Sequence, residues 1–405
     1  MSTPKVSKYI ICLSLCLLKL YACQSQTEVS VNPTQKIILG ADRTQEYLSI
    51  LKDKKLALVV NQTSQVSGNH LVDTLISLGV NVECVMVPEH GFRGTASAGE
   101  KINDSLDSST GVKIFSLYGE SKKPSESMLR DIDLVVFDIQ DVGARFYTYI
   151  STLHNVMEAC AEQNIPLLVL DRPNPNGFYV DGPVLEPKFE SFIGLHPIPV
   201  VHGMTIAEFA LMINGEGWLK DGIQCDLSFI TNSNYTHNSI YHLPVKPSPN
   251  LADSSAIYLY PSLCFFEGTV VSVGRGTESA FKIIGYPENL KGDFHFSPTS
   301  NEGAKKPRYE SEDCRGLNLE AFGNKEFFSV HGLHLDWLID MYQSSTNKKE
   351  FFNRPDFFDL LAGSNKLRLD IINSKTAAEI KLSWKDSIDD FKKTRKKYLL
   401  YPDFE

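Results

Sequence analysis

The chain has 405 residues, of which 22% are charged and 42% hydrophobic, and its formal net charge is −9. This ordinary globular composition supports roughly two or three domains, and it excludes a disordered chain, a coiled coil and a small disulfide-stapled scaffold. The excess of acidic residues, with no long basic run, argues against nucleic acid as a partner.

Residues 1–23 have the pattern of a bacterial export signal. Lys5 and Lys8 precede an apolar run, Tyr9–Leu18, that is too short to span a bilayer as an ordinary transmembrane helix. The segment ends in a lipobox-like sequence in which Cys23 would carry the lipid, and a plain signal peptide cut near Ala22 or Ser25 is the alternative. We therefore expect an exported lipoprotein, periplasmic or associated with the outer membrane, that meets the membrane only through this anchor.

Five cysteines remain beyond the export signal, widely spaced and without a CxxC pair. The odd number and the wide spacing argue against a disulfide framework and against a zinc site, so we expect buried free thiols. These cysteines are Cys84, Cys160, Cys225, Cys264 and Cys314.

The N-terminal half of the chain predicts an α/β fold with a doubly wound parallel sheet. Helical patterns at His70–Leu78 and Tyr149–Ala161 alternate with short, continuous apolar runs that are typical of strands buried on both faces. Neither GxGxxG nor GxxxxGK[ST] is present, so a nucleotide cofactor is not supported. The four apolar runs are Leu56–Val60, Val82–Val87, Leu134–Ile139 and Leu167–Leu170.

Polar residues follow every predicted strand, at the carboxyl edge where open α/β sheets bind ligands. Turn formation and helix capping explain many of them, but they do not explain Glu89, His90 and Arg93 occurring together. We therefore expect the ligand site at this edge. The four polar segments are Asn61–Thr63, Pro88–Gly94, Asp138–Arg145 and Asp171–Gly177.

Carboxylates and arginines in these segments suggest the chemistry. Glu89 follows a buried strand, where desolvation favours a protonated general acid, and Asp141 could supply the second carboxyl that glycoside hydrolysis needs. Helix capping is the alternative role for Asp141. Arg93, Arg145 and Arg275 stand in Gly-rich contexts that suit an anionic ligand, although pairing with local acids would also explain each of them.

A second region begins near the turn-rich segment Lys246–Asn250. The small and apolar residues of Val271–Thr277 alternate, which predicts a strand that enters a Gly-flexed loop. Helical patterns follow at Leu333–Tyr342 and Phe351–Leu361, so this region is predicted to be a smaller α+β domain.

Eight motifs in order resemble the NamZ family of exo-β-N-acetylmuramidases, and the resemblance covers roughly residues 40–405. The resemblance implies a Rossmann-like domain at residues 40–245, a smaller C-terminal domain at 246–405 and an active-site cleft between them, with 24–39 as a tether. The motifs are PEHGFRG (88–94), DIQDVGARFYTY (138–149), DRPNPNG (171–177), DGPVLEP (181–187), HGMTIAE (202–208), KPSPN (246–250), YPSLCFFEGT (260–269) and SVGRGTESAF (272–281).

The same resemblance implies release of terminal β-linked N-acetylmuramic acid from peptidoglycan-derived oligosaccharides, without a cofactor. Glu89 is then the leading catalytic carboxylate, and Asp141, Glu267 and Glu278 are the candidates for its partner. The 2-acetamido group of the sugar could itself attack the anomeric carbon, so a substrate-assisted mechanism stays open. The predicted sugar-binding residues are Asn61, His90, Arg93, Gln140, Arg145, Tyr147, Asp171, Arg172, His202 and Arg275.

Two other classes of function compete with the glycosidase. One is a metal-assisted hydrolase built on Glu89, His90, Asp138 and Asp141, although no HExxH or HxH pattern accompanies these residues. The other is a non-catalytic, sugar-binding lipoprotein of the cell wall. The sequence carries no signal for an oligomeric state.

Overall fold

The computed structural model describes residues 35–89, 91–93, 105–119 and 121–405. The predicted export signal, Cys23 and His90 lie outside these ranges and stay predictions, as does the domain boundary near residue 246. Lys36–Glu405 form one compact unit. Across the described ranges, every helix falls short of the length and apolarity needed to cross a membrane.

The main sheet has seven strands in the order β5-β6-β4-β1-β7-β8-β9, and every neighbouring pair is parallel except β5 with β6. All four predicted strands are present, as β1, β4, β7 and β8, which confirms the α/β fold class. In chain order the strands are β1 (Lys55–Val60), β2 (Gln65–Val66), β3 (Asn69–His70), β4 (Asn81–Val87), β5 (Ser105–Leu106), β6 (Lys113–Ser116), β7 (Leu134–Asp138), β8 (Leu167–Leu170), β9 (Leu227–Ile230), β10 (Ile283–Tyr286), β11 (Phe294–Phe296) and β12 (Cys314–Asn318).

Helices cover both faces of this sheet, because the strands bury side chains on both sides. Ala57 and Val59 of β1 belong to one hydrophobic core, whereas Leu56, Leu58 and Val60 belong to the other. This alternation follows from the period of two in a strand. The helices are α1 (Thr44–Leu51), α2 (Leu71–Ser77), α3 (Glu126–Leu129), α4 (Tyr149–Gln163), α5 (Ile206–Gly215), α6 (Ser254–Leu263), α7 (Asp336–Ser344), α8 (Lys348–Phe351), α9 (Pro355–Ala362), α10 (Lys366–Ile372), α11 (Ala377–Ser383) and α12 (Lys385–Arg395).

The C-terminal part combines helices α6–α12 with a small antiparallel sheet of order β10-β12-β11. Two local predictions there were wrong. Val271–Thr277 is not a strand and makes only an isolated bridge between Ser272 and Gly285. The predicted helix over Phe351–Leu361 is broken in two, because Pro355 cannot continue a helix and instead starts α9.

The five cysteines in the described part of the chain are buried free thiols, as predicted. Burial raises the pKa of the Cys84 thiol to about 11, and it raises the pKa of Cys225 and Cys314 to about 12. These thiols therefore stay protonated and behave as small apolar side chains.

Candidate active site

A cavity of about 220 Å³ lies between the carboxyl edge of the main sheet and the C-terminal part of the chain. It is smaller than the pockets that enclose drug-sized ligands, so it suits a single sugar rather than an oligosaccharide. Glu89, Tyr147, Glu267 and Arg275, all predicted site residues, line it. Further aromatic residues in its wall are Phe146, Tyr149, Tyr260, Phe281 and Phe357.

Glu89 enters the cavity from the loop that directly follows β4. Its carboxyl group lies next to the hydroxyl of Tyr118, which follows the neighbouring strand β6. The hydroxyl of Tyr149 donates to the backbone carbonyl of Glu89 at 3.5 Å. The acid that the sequence ranked first therefore reaches the cavity with a neutral donor beside it.

Glu267 and Arg275 form an ion pair in the cavity wall, with 2.5 Å between Arg275 Nε and Glu267 Oε1. Burial disfavours the charged guanidinium, but the adjacent charge of Glu267 outweighs this and raises the pKa of Arg275. The guanidinium also lies 5.0 Å from the ring centroid of Phe281. Arg275 is thus a permanent cation held at the cavity wall.

Gly274 explains why Arg275 stands in a Gly-rich segment. Its φ is +76°, and a Cβ at this position would lie 2.5 Å from a side-chain carbon of Ile283. Both the left-handed backbone and the lack of space require glycine here. The tight turn carries the chain past β10 and presents Arg275 to the cavity.

Three tyrosines form a packed aromatic wall. The ring centroid of Tyr147 lies 4.8 Å from that of Tyr149 and 5.9 Å from that of Tyr260, both in edge-on geometry. The Tyr147 hydroxyl donates to the carbonyl of Pro247 at 2.9 Å. Burial raises the pKa of all three phenols, so they remain neutral donors at physiological pH.

Asp141 and His202 lie in the protein interior and are not part of the cavity wall. Asp141 Oδ2 accepts a hydrogen bond from the Gly143 N–H at 2.6 Å, and it lies 3.8 Å from His202 Nε2. Only 5% of Asp141 and 1% of His202 are exposed. Asp141 thus shapes the turn after β7, and it does not cap the following helix, whose N-cap is Thr148.

Arg145 is fully buried and does not face the cavity. Its guanidinium donates to the backbone carbonyls of Pro183, Ile198 and Leu361 at 2.7–2.9 Å. Burial without a neighbouring carboxylate lowers its pKa to about 9. Arg145 therefore ties the turn after β7 to two distant segments.

Arg172 is likewise committed to the protein interior. It forms a bidentate ion pair with Asp138, at 2.6 Å from Nε to Oδ1 and 2.9 Å from Nη2 to Oδ2. The burial of both side chains is nearly complete. The pair joins the ends of β7 and β8 rather than contacting the cavity.

Asn61 and Gln140 support the cavity wall from behind. Asn61 donates through Nδ2 to the Tyr149 hydroxyl at 3.0 Å and is fully buried. Gln140 donates to the carbonyls of Asp141 and Pro173. These two predicted site residues hold backbone and phenol groups in place.

Neither Arg93 nor Glu278 lines the cavity. Arg93 pairs with Asp73 and Asp107, each at 3.2 Å. Hydrogen bonds from Ser109, Thr110 and Arg93 outweigh burial and lower the pKa of Asp107 to about 2. Glu278 is exposed at the surface.

Asp171 lies at the end of β8 in a fully buried polar cluster. It accepts hydrogen bonds from the Tyr401 hydroxyl at 2.5 Å and from the Ala207 N–H at 2.9 Å. Burial raises the pKa of Asp171 to about 7 in spite of these bonds. It anchors the C-terminal segment instead of lining the cavity.

The raised pKa of Asp171 predicts a pH effect on stability. The folded state binds this proton more tightly than the unfolded state does, whose pKa is about 4. Its contribution to the free energy of unfolding should therefore fall as the pH rises from about 4 to about 7, by at most about 1.4 kcal/mol per pH unit.

The test compares urea denaturation of the wild type and Asp171→Asn at several pH values. Other titrating groups contribute equally to both proteins, so the variant should gain stability relative to the wild type across this range. Parallel stability curves would contradict the prediction.

Sequence reasoning missed several cavity residues, and most of them lack a local signal. Ile193, Ser248, Leu251 and Leu361 come from loops and from α9, far from the strand ends. Tyr118 does not line the cavity but lies next to Glu89, and it could have been found, because it follows a short apolar-polar alternation that forms β6. That strand is only four residues long and lacks the continuous apolar run of its neighbours.

No cluster of three or more His, Cys, Asp or Glu side chains suited to a metal ion occurs among the described residues. Glu89 and Asp141 do not share a site there, because one lines the cavity and the other lies buried beside Gly143. The cavity instead combines two carboxyl groups, one cation and several aromatic rings. This composition, in a cavity that suits a single sugar, is typical of glycosidases.

Sequence comparison identifies the family. Residues 56–255 match the model for the N-terminal part of the exo-β-N-acetylmuramidase NamZ, and residues 258–401 match the model for its C-terminal part. The chain belongs to the NamZ family of exo-β-N-acetylmuramidases, and the resemblance drawn from its motifs is confirmed. The family assignment does not favour the metal-assisted hydrolase or the non-catalytic binding protein.

Known relatives agree with this assignment. The chain is 38% identical over 376 residues to the peptidoglycan β-N-acetylmuramidase NamZ of Bacillus subtilis (strain 168), covering 88% of this chain and 89% of the relative. A DUF1343 family crystal structure from Bacteroides fragilis NCTC 9343 is 46% identical with a TM-score of 0.84, covering 91% and 100% of the two chains. A second from the same organism is 28% identical with a TM-score of 0.73, covering 90% and 99%.

Proposed function

We propose that the cavity binds one terminal β-linked N-acetylmuramic acid of a peptidoglycan fragment and that Glu89 is the general acid for its release. The observation that carries this proposal is the pair of carboxyl groups, Glu89 and Glu267, lining one cavity of about 220 Å³ together with Arg275. Because the space suits a single sugar, the enzyme acts from the end of a chain.

The partners of the two carboxyl groups suggest different roles. Glu267 is engaged by the guanidinium of Arg275, so its role is to hold that cation at the cavity. Glu89 lies next to the neutral phenol of Tyr118 and can carry a proton to the glycosidic oxygen. As that oxygen takes the proton, its bond to the anomeric carbon breaks, and water finally supplies the hydroxyl group at this carbon.

Arg275 is the residue that would recognise the lactyl carboxylate of the sugar. Its Nε–H is directed to Glu267, and its terminal amino groups have no other hydrogen-bond partner among the residues described. These groups carry four of the five guanidinium N–H donors, in a fork that matches a carboxylate. A chain with a net charge of −9 can thus bind an anionic sugar through one local cation.

The experiment that tests the proposal compares chromogenic β-glycosides of N-acetylmuramic acid and N-acetylglucosamine, which lacks the lactyl group. The wild type should hydrolyse the first preferentially. Arg275→Gln should lose about 10- to 100-fold in kcat/KM on the muramic acid glycoside and much less on the other, because a charge-assisted hydrogen bond is removed.

Arg43→Gln is the matched control, since Arg43 also pairs with a glutamate, Glu46, but precedes α1 and does not line the cavity. It should behave like the wild type. Equal hydrolysis of both glycosides by the wild type would refute the role of Arg275. No release from either glycoside would favour the non-catalytic binding protein.

A further inference from the structure

The register of two parallel strands places Glu89 beside Tyr118. In the ladder between β4 and β6, Val87 pairs with Ser116, and the Leu117 N–H donates to the Val87 carbonyl at 2.8 Å. Both strands end at this pair. Glu89 and Tyr118 each come two residues after it. The juxtaposition therefore follows from the sheet itself.

The hydroxyl group of Ser116 makes two hydrogen bonds to the backbone of Tyr118. Ser116 Oγ accepts from the Tyr118 N–H at 3.2 Å and donates to the Tyr118 carbonyl at 3.1 Å. Gly119 follows with a φ of +100°, which turns the chain away. The phenol is thus presented from a constrained loop and not from a freely moving one.

The Tyr118 hydroxyl lies next to the carboxyl group of Glu89, as the register of β4 and β6 requires. Burial, together with the neighbouring charge of Glu89, raises the pKa of Tyr118 to about 12. The phenol therefore keeps its proton at physiological pH and is available as a donor to the carboxyl group.

We propose that Tyr118 is a positioning residue for Glu89, donating to one carboxyl oxygen so that the other faces the glycosidic oxygen. This inference rests on the proposed role of Glu89 as general acid. Once the proton has left, Glu89 is a carboxylate, and a hydrogen bond to a carboxylate is stronger than one to the neutral acid. The contact thus stabilises the transition state more than the ground state.

The test is Tyr118→Phe in the full chain, with kcat and KM measured on the chromogenic muramic acid glycoside over a range of pH. We expect kcat to fall about 10- to 100-fold with KM changed less than about threefold. The alkaline limb of the kcat profile should move to higher pH, because the carboxylate form of Glu89 has lost a donor that stabilised it.

Tyr398→Phe is the matched control, because the Tyr398 hydroxyl also donates to a glutamate, Glu216, at 2.6 Å, away from the cavity. It should leave kcat and the pH profile unchanged. A Tyr118→Phe variant with wild-type kcat and profile would overturn the inference. A lower kcat with an unshifted profile and a reduced thermal midpoint would also overturn it, since that result marks a purely structural role.

Glu89→Gln separates this inference from the proposed function. If Glu89→Gln is inactive and Tyr118→Phe resembles the wild type, only the role of Tyr118 fails. If Glu89→Gln retains turnover, the proposed general acid itself fails, and the inference about Tyr118 fails with it.

Discussion

Replacing Glu89 with glutamine should lower kcat by about 10²- to 10⁴-fold on the muramic acid glycoside while leaving KM within a few-fold of the wild type. Glutamine keeps the shape of the side chain at the cavity wall but cannot give a proton to the glycosidic oxygen. Steady-state kinetics of the purified full chain measures this effect directly, and thermal melting establishes that the variant is folded.

Varying the leaving group of the substrate makes this test more specific. A nitrophenol leaves readily without a proton, whereas a sugar alcohol does not, so the deficit of Glu89→Gln should be larger on a natural disaccharide than on a nitrophenyl glycoside. Equal deficits on both substrates would contradict a proton-donating role. This comparison distinguishes loss of the acid from a general distortion of the cavity.

Two further glutamates serve as comparisons. Glu83 lies on the same strand, β4, but is exposed, so Glu83→Gln should retain wild-type kinetics. Glu267→Gln removes the charge that holds Arg275, so its main effect should be a higher KM for the muramic acid glycoside. If Glu267→Gln instead showed the leaving-group dependence, the roles of the two carboxyl groups would have to be exchanged.

Arg172→Met should lower the free energy of unfolding by about 3–5 kcal/mol, the largest stability effect expected from a single residue here. The substitution leaves Asp138 buried without its partner, at the end of a central strand. Removing one member of a buried ion pair is costly because the remaining charge has lost its compensation. Urea denaturation of the wild type and variant gives the difference.

The double variant Arg172→Met/Asp138→Leu isolates the ionic contribution. It removes both charges, so it should be substantially more stable than Arg172→Met alone. Lys385→Met is the surface control, because Lys385 pairs with Asp389 at an exposed site and should cost less than about 1 kcal/mol. A double variant as unstable as the single one, or a loss below about 1 kcal/mol for Arg172→Met, would contradict this account.

Arg145, Arg172 and Asp171 show where sequence reasoning reaches its limit. All three follow strands at the edge where ligands bind, and their motifs make them good candidates for sugar binding. Yet Arg145 donates to Leu361, which lies 216 residues away, and Asp171 accepts from Tyr401, 230 residues away. No local pattern reveals that the C-terminal part of the chain covers Arg145 and Asp171, or that Asp138 pairs with Arg172.

The sequence alone determined the class of fold and the family, and it predicts Glu89 as the leading acid. Continuous apolar runs predict strands buried on both faces, because each residue of such a strand faces the protein interior on one side or the other. Motif order identified the family, and the position of Glu89 after β4 placed it at the edge of the sheet.

Only the tertiary structure decided which polar residues at that edge face the cavity and which are buried. The strand period directs side chains within a strand, but beyond its end the direction depends on partners distant in the chain. The tertiary structure places Glu89, Glu267 and Arg275 at the cavity and buries Arg145, Arg172 and Asp171. Tyr118 was placed beside Glu89 by the pairing of β4 with β6, a long-range contact that neither strand specifies alone.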